Sequence, residues 1–293
     1  MNAPPLFSRR DILKLGSIAA LAAPVLGRSA PASEAPSALP AGEKRRSPLG
    51  VATFSLTKLP VPGVIAALNT LAITRASLYH SHAPWADGTP EACRAVVQQF
   101  KDSGIAVTST GVIEFSTDEA AARKAFENVK GAGVAKICAR PEIAALPLLD
   151  RLVKEYDLTI AIHNHGPTDL YPTADDVWKH IGAFDPRIGI CIDVGHAWRA
   201  GGDPAAEIRQ VKDRLYEVHL KDTKGPRGTA TRDPAPVVVG RGAIDIHAIL
   251  TALAEVGYSH ETEFEYEVRA DDKMPGLAES VGYVRGMLAG MPA

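Results

Sequence analysis

The sequence predicts a single (β/α)8 barrel, an α/β fold of eight parallel strands and eight helices. From Leu49 onward, short segments rich in β-branched residues alternate with amphipathic segments of helical periodicity, which is typical of βα units on a parallel sheet. Eight such units fill about 245 residues, the number and length expected of a closed barrel. An open doubly wound sheet is the alternative, but the first strand ends in Thr53-Phe54-Ser55-Leu56 rather than in a Gly-rich phosphate loop.

The hydrophobic periodicity also places the individual elements. The predicted strands are residues 49–55, 72–80, 105–113, 134–139, 158–164, 188–194, 216–221 and 261–267. The predicted helices are residues 61–70, 90–103, 118–131, 143–156, 173–182, 203–214, 245–256 and 276–289.

The composition excludes several classes of protein. The chain has 293 residues, of which 46% are hydrophobic and 23% charged, as in ordinary globular proteins. Its 32 basic and 34 acidic residues give a formal net charge of -2, so we expect no nucleic-acid partner. The cysteines, Cys93, Cys138 and Cys191, are odd in number and widely spaced. They are expected to be buried free thiols rather than a disulfide framework or a cysteine-rich zinc site.

The N-terminal segment has the composition of an export signal. Arg9 and Arg10 precede an apolar stretch, residues 15–27, that is too short to span a bilayer. The segment resembles a twin-arginine signal, and Ala30-Pro31-Ala32 offers a small-residue cleavage site. A basic N-terminus followed by a buried helix is the alternative interpretation.

The expected domain organisation follows from this signal. Residues 1–32 are predicted to be a twin-arginine-type signal peptide, residues 33–47 a disordered linker rich in Pro, Ala, Ser and Glu, and residues 48–293 the barrel. The twin-arginine resemblance implies export of the folded protein. We therefore expect a periplasmic protein with no membrane contact after signal cleavage.

Polar residues gather at the C-terminal ends of the predicted strands, where barrel enzymes hold their active sites. The groups at these ends are His80, His82, Glu114, Arg140, His163, His165, Asp193, His196, His219, Lys221, Glu261, Glu263, Glu265 and Glu267. Residues two apart on a strand share a face, so His219 shares one with Lys221, and Glu265 with its neighbouring glutamates. Buried carboxylates need a cation or another partner, so these side chains are candidates for a metal site.

The types of side chain restrict the metal. Imidazole and carboxylate ligands without a thiolate suit one divalent ion of Mn, Zn, Co or Fe, whereas Mg is less suited and Ca is disfavoured. The alternative is that these groups only form hydrogen bonds with each other beneath the loops.

Four segments of the barrel form an ordered pattern: residues 190–196 (ICIDVGH), 217–222 (EVHLKD), 239–245 (VGRGAID) and 264–267 (FEYE). Together they resemble the xylose isomerase-like barrel superfamily of sugar isomerases and epimerases. The resemblance implies one divalent metal held by an acidic residue on the fifth strand, an Asp on the sixth, a His on the seventh and a Glu on the eighth. At the corresponding positions of this chain, the ligands on strands six, seven and eight are Asp193, His219 and Glu265. His163 takes the place of the acidic residue on strand five.

His163 is a departure from the family pattern. The resemblance implies two carboxylates, on strands five and eight, acting as acid and base on opposite faces of an enediolate, and an imidazole does not reproduce one of them. His163 can still bind the metal, with Glu265 or His165 as the catalytic group that moves the proton. We expect His80, His196, Lys221 and Arg241 to hold substrate oxygens, although Arg241 is equally interpretable as a solvated loop charge.

The predicted function is that of a metal-dependent sugar isomerase or epimerase acting on a small carbohydrate or keto-sugar. Isomerisation, epimerisation and β-elimination share the enediolate, so a lyase that cleaves 3-keto-glycosides is an alternative. A non-catalytic sugar-binding barrel is another, and a nuclease of the same superfamily is disfavoured by the net charge of -2. The sequence leaves the oligomeric state open.

Replacing Arg9 and Arg10 together with lysine tests the export prediction. The twin-arginine route reads the arginine pair itself, so we expect the doubly substituted precursor to stay inside the cell. Fractionation of cells, followed by immunoblotting of the periplasmic and cytoplasmic fractions, measures this. Unchanged export of the variant would contradict the twin-arginine assignment.

Overall fold

The structure, a computed structural model, describes residues 47–229 and 235–291. The predicted signal peptide and residues 33–46 of the predicted linker lie outside the described residues and stay predictions. No helix in the described ranges has the length and apolar character needed to cross a membrane.

The described residues form a sheet of nine parallel strands that closes into a nearly complete barrel. The strands are β1 (Leu49–Ala52), β2 (Arg75–Leu78), β3 (Ala106–Thr110), β4 (Ile113–Phe115), β5 (Lys136–Pro141), β6 (Thr159–His163), β7 (Ile188–Asp193), β8 (Leu215–Leu220) and β11 (Thr262–Phe264). A separate antiparallel pair joins β9 (Asp222–Thr223) to β10 (Pro236–Val237). The strand order, β3-β2-β1-β11-β8-β7-β6-β5-β4, confirms the predicted fold class.

The third predicted strand is divided in two, which the sequence did not indicate. Its first part, β3, pairs with β2, and its second part, β4, pairs with β5, so the barrel closes through one interrupted strand. Gly111 lies at the interruption, where a Cβ would come within 2.6 Å of the Cα of Tyr79. The close approach of two backbones therefore requires glycine at this position.

The helices pack around the sheet. They are α1 (Val61–Thr70), α2 (Pro90–Asp102), α3 (Glu119–Gly131), α4 (Leu146–Tyr156), α5 (Ala174–Ile181), α6 (Val194–Arg199), α7 (Pro204–Val211), α8 (Ile246–Glu255) and α9 (Met274–Gly290). Several begin at a side chain that accepts a backbone N–H, as Thr89 and Asp118 do for α2 and α3. The short helix α6 was not predicted. It begins directly after β7, and the Asp193 side chain caps it by accepting from the His196 N–H.

The apolar core lies between the sheet and the helices, whereas much of the barrel interior is polar. Val51, Ile190 and Phe264 are fully buried in the apolar cluster that the helices cover. On the interior face, Lys136 forms an ion pair with Glu261 and lies 3.2 Å from a carboxylate oxygen of Glu217. The barrel interior therefore contains buried ion pairs, in contrast to the branched apolar layers usual for this fold.

The predicted buried thiols are confirmed, because all three cysteines are free and buried. Cys138 and Cys191 lie inside the barrel against Ala161, whereas Cys93 belongs to the larger apolar cluster under the helices.

The buried carboxyl group of Glu207 gives a pH-dependent stability. Burial raises the pKa of Glu207 to about 7, from 4.5 in an exposed glutamate. Because the folded-state pKa is higher, folding favours the protonated acid. The free energy of unfolding should therefore fall as the pH rises from about 4.5 to about 7.

Glu207→Gln should remove the free-energy cost of ionising this buried carboxyl group. The substitution keeps an oxygen that can accept from the Ala174 N–H, 2.9 Å away. We expect the variant to exceed the unsubstituted protein in unfolding free energy by about 3 kcal/mol at pH 8, and to match it at pH 4. Urea denaturation at both pH values measures the difference. Glu142→Gln, at an exposed position, is the matched control, and an equal effect of Glu207→Gln at both pH values would contradict the assignment.

Candidate metal centre

Four buried side chains converge at the C-terminal end of neighbouring strands. His163 ends β6, Asp193 ends β7, His219 lies on β8, and Glu265 follows β11 directly. Each offers one ligand atom, and these atoms all lie within 4.8 Å of one another. Strand register brings them together, because Asp193 pairs with His219 across β7 and β8. The structure thus places all four sequence-predicted ligands in one cluster, which we call the metal centre.

The distances between the ligand atoms fit a single ion. His163 Nε2 lies 3.0 Å from His219 Nδ1, which lies 3.1 Å from Glu265 Oε2. His163 Nε2 is also 3.6 Å from Asp193 Oδ2 and 3.6 Å from Glu265 Oε2. Two ligand atoms at about 2.1 Å from one ion are about 3.0 Å apart at a right angle and about 3.4 Å apart at a tetrahedral angle.

An unpartnered carboxylate oxygen supports the same interpretation. Within the described residues, the buried Asp193 Oδ2 has no hydrogen-bond partner, whereas Oδ1 accepts from the His196 N–H at 2.7 Å. Lys221 Nζ is 3.1 Å from Oδ2 as an ion pair, but outside hydrogen-bond geometry. The Asn164 side chain brackets the Asp193 backbone, accepting from its N–H at 2.8 Å and donating to its carbonyl at 3.1 Å. Asp193 is therefore held rigidly with one oxygen available to a cation.

His219 is oriented by a carboxylate below it. Its Nε2 must donate to Glu217 Oε1, 3.0 Å away, because an ionised carboxylate only accepts. Burial opposes ionisation of Glu217, but Lys136 and His219 lower its pKa to about 2. The Nδ1 of His219 faces Glu265, and although burial opposes the charged imidazolium, Glu265 and Glu217 raise the pKa of His219 well above the ordinary range. Nδ1 therefore carries a proton that a bound metal would displace, while Glu217 orients the ring as carboxylates orient metal-bound histidines. Sequence reasoning missed this role, although residue alternation places Glu217 on the face of His219.

A second cluster of ligand types is less suited to a metal. Cys138, Cys191, Glu217 and His219 also offer atoms within 4.8 Å of one another. Burial raises the pKa of both thiols, and the thiolate is the form that binds metals. Since Glu217 is also paired with Lys136, this cluster is better explained as part of the barrel interior.

Lys221 lies among the carboxylates of the metal centre. Its Nζ is 3.1 Å from Asp193 Oδ2, 3.0 Å from Glu265 Oε2 and 3.2 Å from Glu267 Oε2. Burial opposes ionisation of Glu265, but Lys221 and His219 hold its pKa well below the ordinary range. Lys221 thus offsets part of the negative charge of these carboxylates, and its role toward substrate stays a prediction.

Two further histidines stand beside the ligands. The centroids of the His165 and His163 rings lie 4.3 Å apart. Burial, together with His163, lowers the pKa of His165 to about 3. His196, on α6, has its pKa lowered well below the ordinary range by burial and by Lys221. Both imidazoles are therefore neutral at physiological pH, and each can accept a proton.

The other two predicted substrate residues lie apart from this cluster. His80 is exposed, and its ring packs against Tyr79 at 3.9 Å. The exposed Arg241 donates to Glu279 on α9, with 2.8 Å between Nη2 and Oε2. The backbone N–H groups of Gly240 and Gly242 donate to Asp222, which holds this loop against β9. Arg241 thus forms an exposed ion pair with Glu279, and its role toward substrate stays a prediction.

A cavity of about 440 Å³ adjoins the metal centre. Its lining includes His196, Arg199, Lys221, Glu267, Arg269 and Lys273. The volume is within the range of small-molecule sites. A larger cavity, of about 760 Å³, lies among the N-terminal ends of the strands, near Lys136 and Tyr216. The smaller cavity is the candidate active site, because chemistry in this fold belongs to the opposite, C-terminal end.

Comparisons with known proteins agree with this architecture. The family model described as xylose isomerase-like TIM barrel matches residues 142–287, which contain all four ligands of the metal centre. The fold of this chain is a xylose isomerase-like TIM barrel.

Similar solved structures cover most of the xylose isomerase-like barrel. The IolI protein, whose structure has a bound zinc atom, covers 83% of this chain and 97% of its own, with a TM-score of 0.66 and 17% identity. The 3-keto-D-glucoside 4-epimerase YcjR from E. coli covers 82% and 100%, with a TM-score of 0.66 and 14% identity. At these identities the likeness establishes the fold.

A curated relative is similar over a shorter segment of the barrel. Inosose dehydratase from Klebsiella pneumoniae is 29% identical over 154 residues, which is 42% of this chain. The similarity spans about half of that relative, 49% of its length.

Metal binding should depend on His219 and, more weakly, on the carboxylate that orients it. We expect His219→Ala to lose most of its metal, and Glu217→Gln to bind it about tenfold more weakly because the orienting charge is gone. His247→Ala, at an exposed position on α8, is the matched control. Elemental analysis after dialysis and competition titration with a chromophoric chelator measure occupancy and affinity. Full occupancy in His219→Ala would refute the metal centre.

Proposed function

We propose that this chain is a divalent-metal-dependent enzyme that moves a proton next to the carbonyl of a small carbohydrate, as an isomerase or epimerase. The observation that carries the proposal is the convergence of His163, Asp193, His219 and Glu265 beside a cavity lined by polar side chains. Two imidazoles and two carboxylates suit Mn, Zn, Co or Fe more than Mg. The zinc in the IolI structure supports this choice of metal.

The chemistry assigned to the centre has two parts. A divalent ion held there would polarise a sugar carbonyl and make the neighbouring C–H more acidic. His165, neutral and half-buried beside His163, is one candidate to accept that proton. Glu265, kept ionised by Lys221 and His219, is the other candidate base.

The fate of the resulting enediolate decides the reaction. Returning the proton to the neighbouring carbon gives an isomer, returning it to the opposite face gives an epimer, and loss of a β-substituent gives an elimination product. Elimination from a 3-keto-glycoside or dehydration is the second candidate, because His163 replaces a carboxylate that would protonate the opposite face. The inosose dehydratase relative supports this second candidate.

The cellular setting belongs to the same proposal. We place the enzyme in the periplasm, released from the membrane after signal cleavage, on the basis of the Arg9-Arg10 signal. Free or oxidised sugars are then more accessible substrates than metabolites confined to the cytoplasm. The net charge of -2 argues against a nucleic-acid substrate.

The proposal is tested by incubating metal-loaded protein in D₂O with ketoses, aldoses and 3-keto-glycosides. Deuterium uptake without release of an aglycone or water supports the isomerase or epimerase, whereas release supports the lyase. His163→Glu should raise proton exchange relative to elimination, because it restores a second carboxylate. His247→Ala is the control. Binding of sugars without either reaction would contradict the enzyme and support a non-catalytic binding barrel.

A further inference from the structure

The cavity beside the metal centre has an excess of positive charge. Arg199, Arg269 and Lys273 line it, and within residues 47–229 and 235–291 none of the three forms an ion pair. The chain as a whole has a net charge of -2, so this excess is local.

The carboxylates of the same cavity are already engaged. Glu267 Oε2 lies 3.2 Å from Lys221, and Lys221 in turn contacts Asp193 and Glu265 of the metal centre. Asp222 accepts backbone N–H groups at both oxygens, from Thr223 and Ile244 at Oδ1 and from Gly240 and Gly242 at Oδ2. In the described residues, these acids therefore form no ion pair with the three cations of the cavity wall, of which Arg199 and Lys273 are half-buried and Arg269 is exposed.

Lys273 is the cavity cation for which the effect of lacking an ion pair is most direct. It is half-buried, and its Nζ donates to the Tyr266 carbonyl at 3.3 Å. Burial lowers the pKa of Lys273 by more than the nearby Glu267 and Glu265 raise it. Neither carboxylate forms an ion pair with Lys273 Nζ in the described residues, so the ammonium group lacks a directly paired partner. An anion in the cavity would supply that partner.

His196 adds an unused donor to the cavity wall. Its Nδ1 is 2.5 Å from Arg199 Nη2, and its Nε2 is 3.3 Å from Lys221 Nζ. A neutral imidazole has only one acceptor nitrogen, so one of these two cationic donors faces an N–H. The wall is thus rich in donors and poor in acceptors, as a site for an oxyanion requires.

We propose that this cavity binds a carbohydrate that carries an anionic oxygen group, a carboxylate or a phosphate, with Arg199, Arg269 and Lys273 holding that group. The proposal rests on the proposed function, since Lys221 and His196 border both the cavity and the metal centre. It narrows the substrate class from sugars in general to sugar acids or sugar phosphates.

Calorimetric titration of the metal-loaded protein with D-glucuronate, D-glucose 6-phosphate and D-glucose tests the proposal. We expect at least one of the two anionic sugars to bind about tenfold or more tightly than glucose, because a charge-assisted contact is gained. The anion with the higher affinity identifies the group. Equal affinity for all three sugars would overturn the proposal.

Carboxylates and phosphates also bind metal ions. Substitutions in the cavity therefore distinguish an anionic preference caused by the cavity side chains from one caused by the metal. Arg269→Gln and Lys273→Gln should each reduce the preference for the anionic sugar about tenfold, whereas Lys130→Gln, at an exposed position on α3, should not. An anionic preference that survives both cavity substitutions would also overturn the proposal, because the metal alone would then explain it.

The failure of this inference can be distinguished from failure of the proposed function. Turnover of neutral keto-sugars without any anionic preference would refute the anion site and leave the enzyme intact. A preference that depends on Arg269 and Lys273, in a protein that exchanges no deuterium with any sugar, would support the anion site and contradict the enzyme.

Discussion

The pairing of buried carboxylates with two buried ammonium groups is the constraint on which the barrel interior depends. Lys136 forms ion pairs with Glu217 and Glu261 inside the barrel. Lys221 lies among the carboxylates of the metal centre, at the C-terminal end of the strands. Removing one partner of a buried ion pair costs several kcal/mol, because the remaining charge is left without water or counter-ion. The stability of the fold and the charge of the site are therefore linked.

His219 connects the two levels of this network. Its Nε2 donates to Glu217, whose charge is held by Lys136, while its Nδ1 faces His163 and Glu265. Orientation of a ligand at the metal centre thus depends on ion pairs formed deeper in the barrel. Substitution of such a partner of a metal-bound histidine typically lowers metal affinity by about 10- to 100-fold.

Asp193 joins the fold to the site in a similar way. One oxygen caps α6, which carries His196 and Arg199 to the cavity, and the other faces the metal centre. A substitution at Asp193 would therefore alter both the ligand set and the cavity wall. The cavity has Lys221 among the carboxylates of the metal centre on one side and Arg199, Arg269 and Lys273 on the other. These three cations are the basis for expecting a substrate that is itself anionic.

By itself, the sequence determined the barrel and most element positions, because periodicity and strand ends are local properties of the chain. The four proposed ligands followed from the resemblance of four segments to a known family. Only the tertiary structure divided the third strand at Gly111, where the backbone of Tyr79 approaches too closely for a side chain. It also decided that Arg241 pairs with Glu279, and that Arg199, Arg269 and Lys273 line the cavity. These outcomes depend on which loop side chains find a partner across the fold, and such long-range pairing leaves no periodic signal in the sequence.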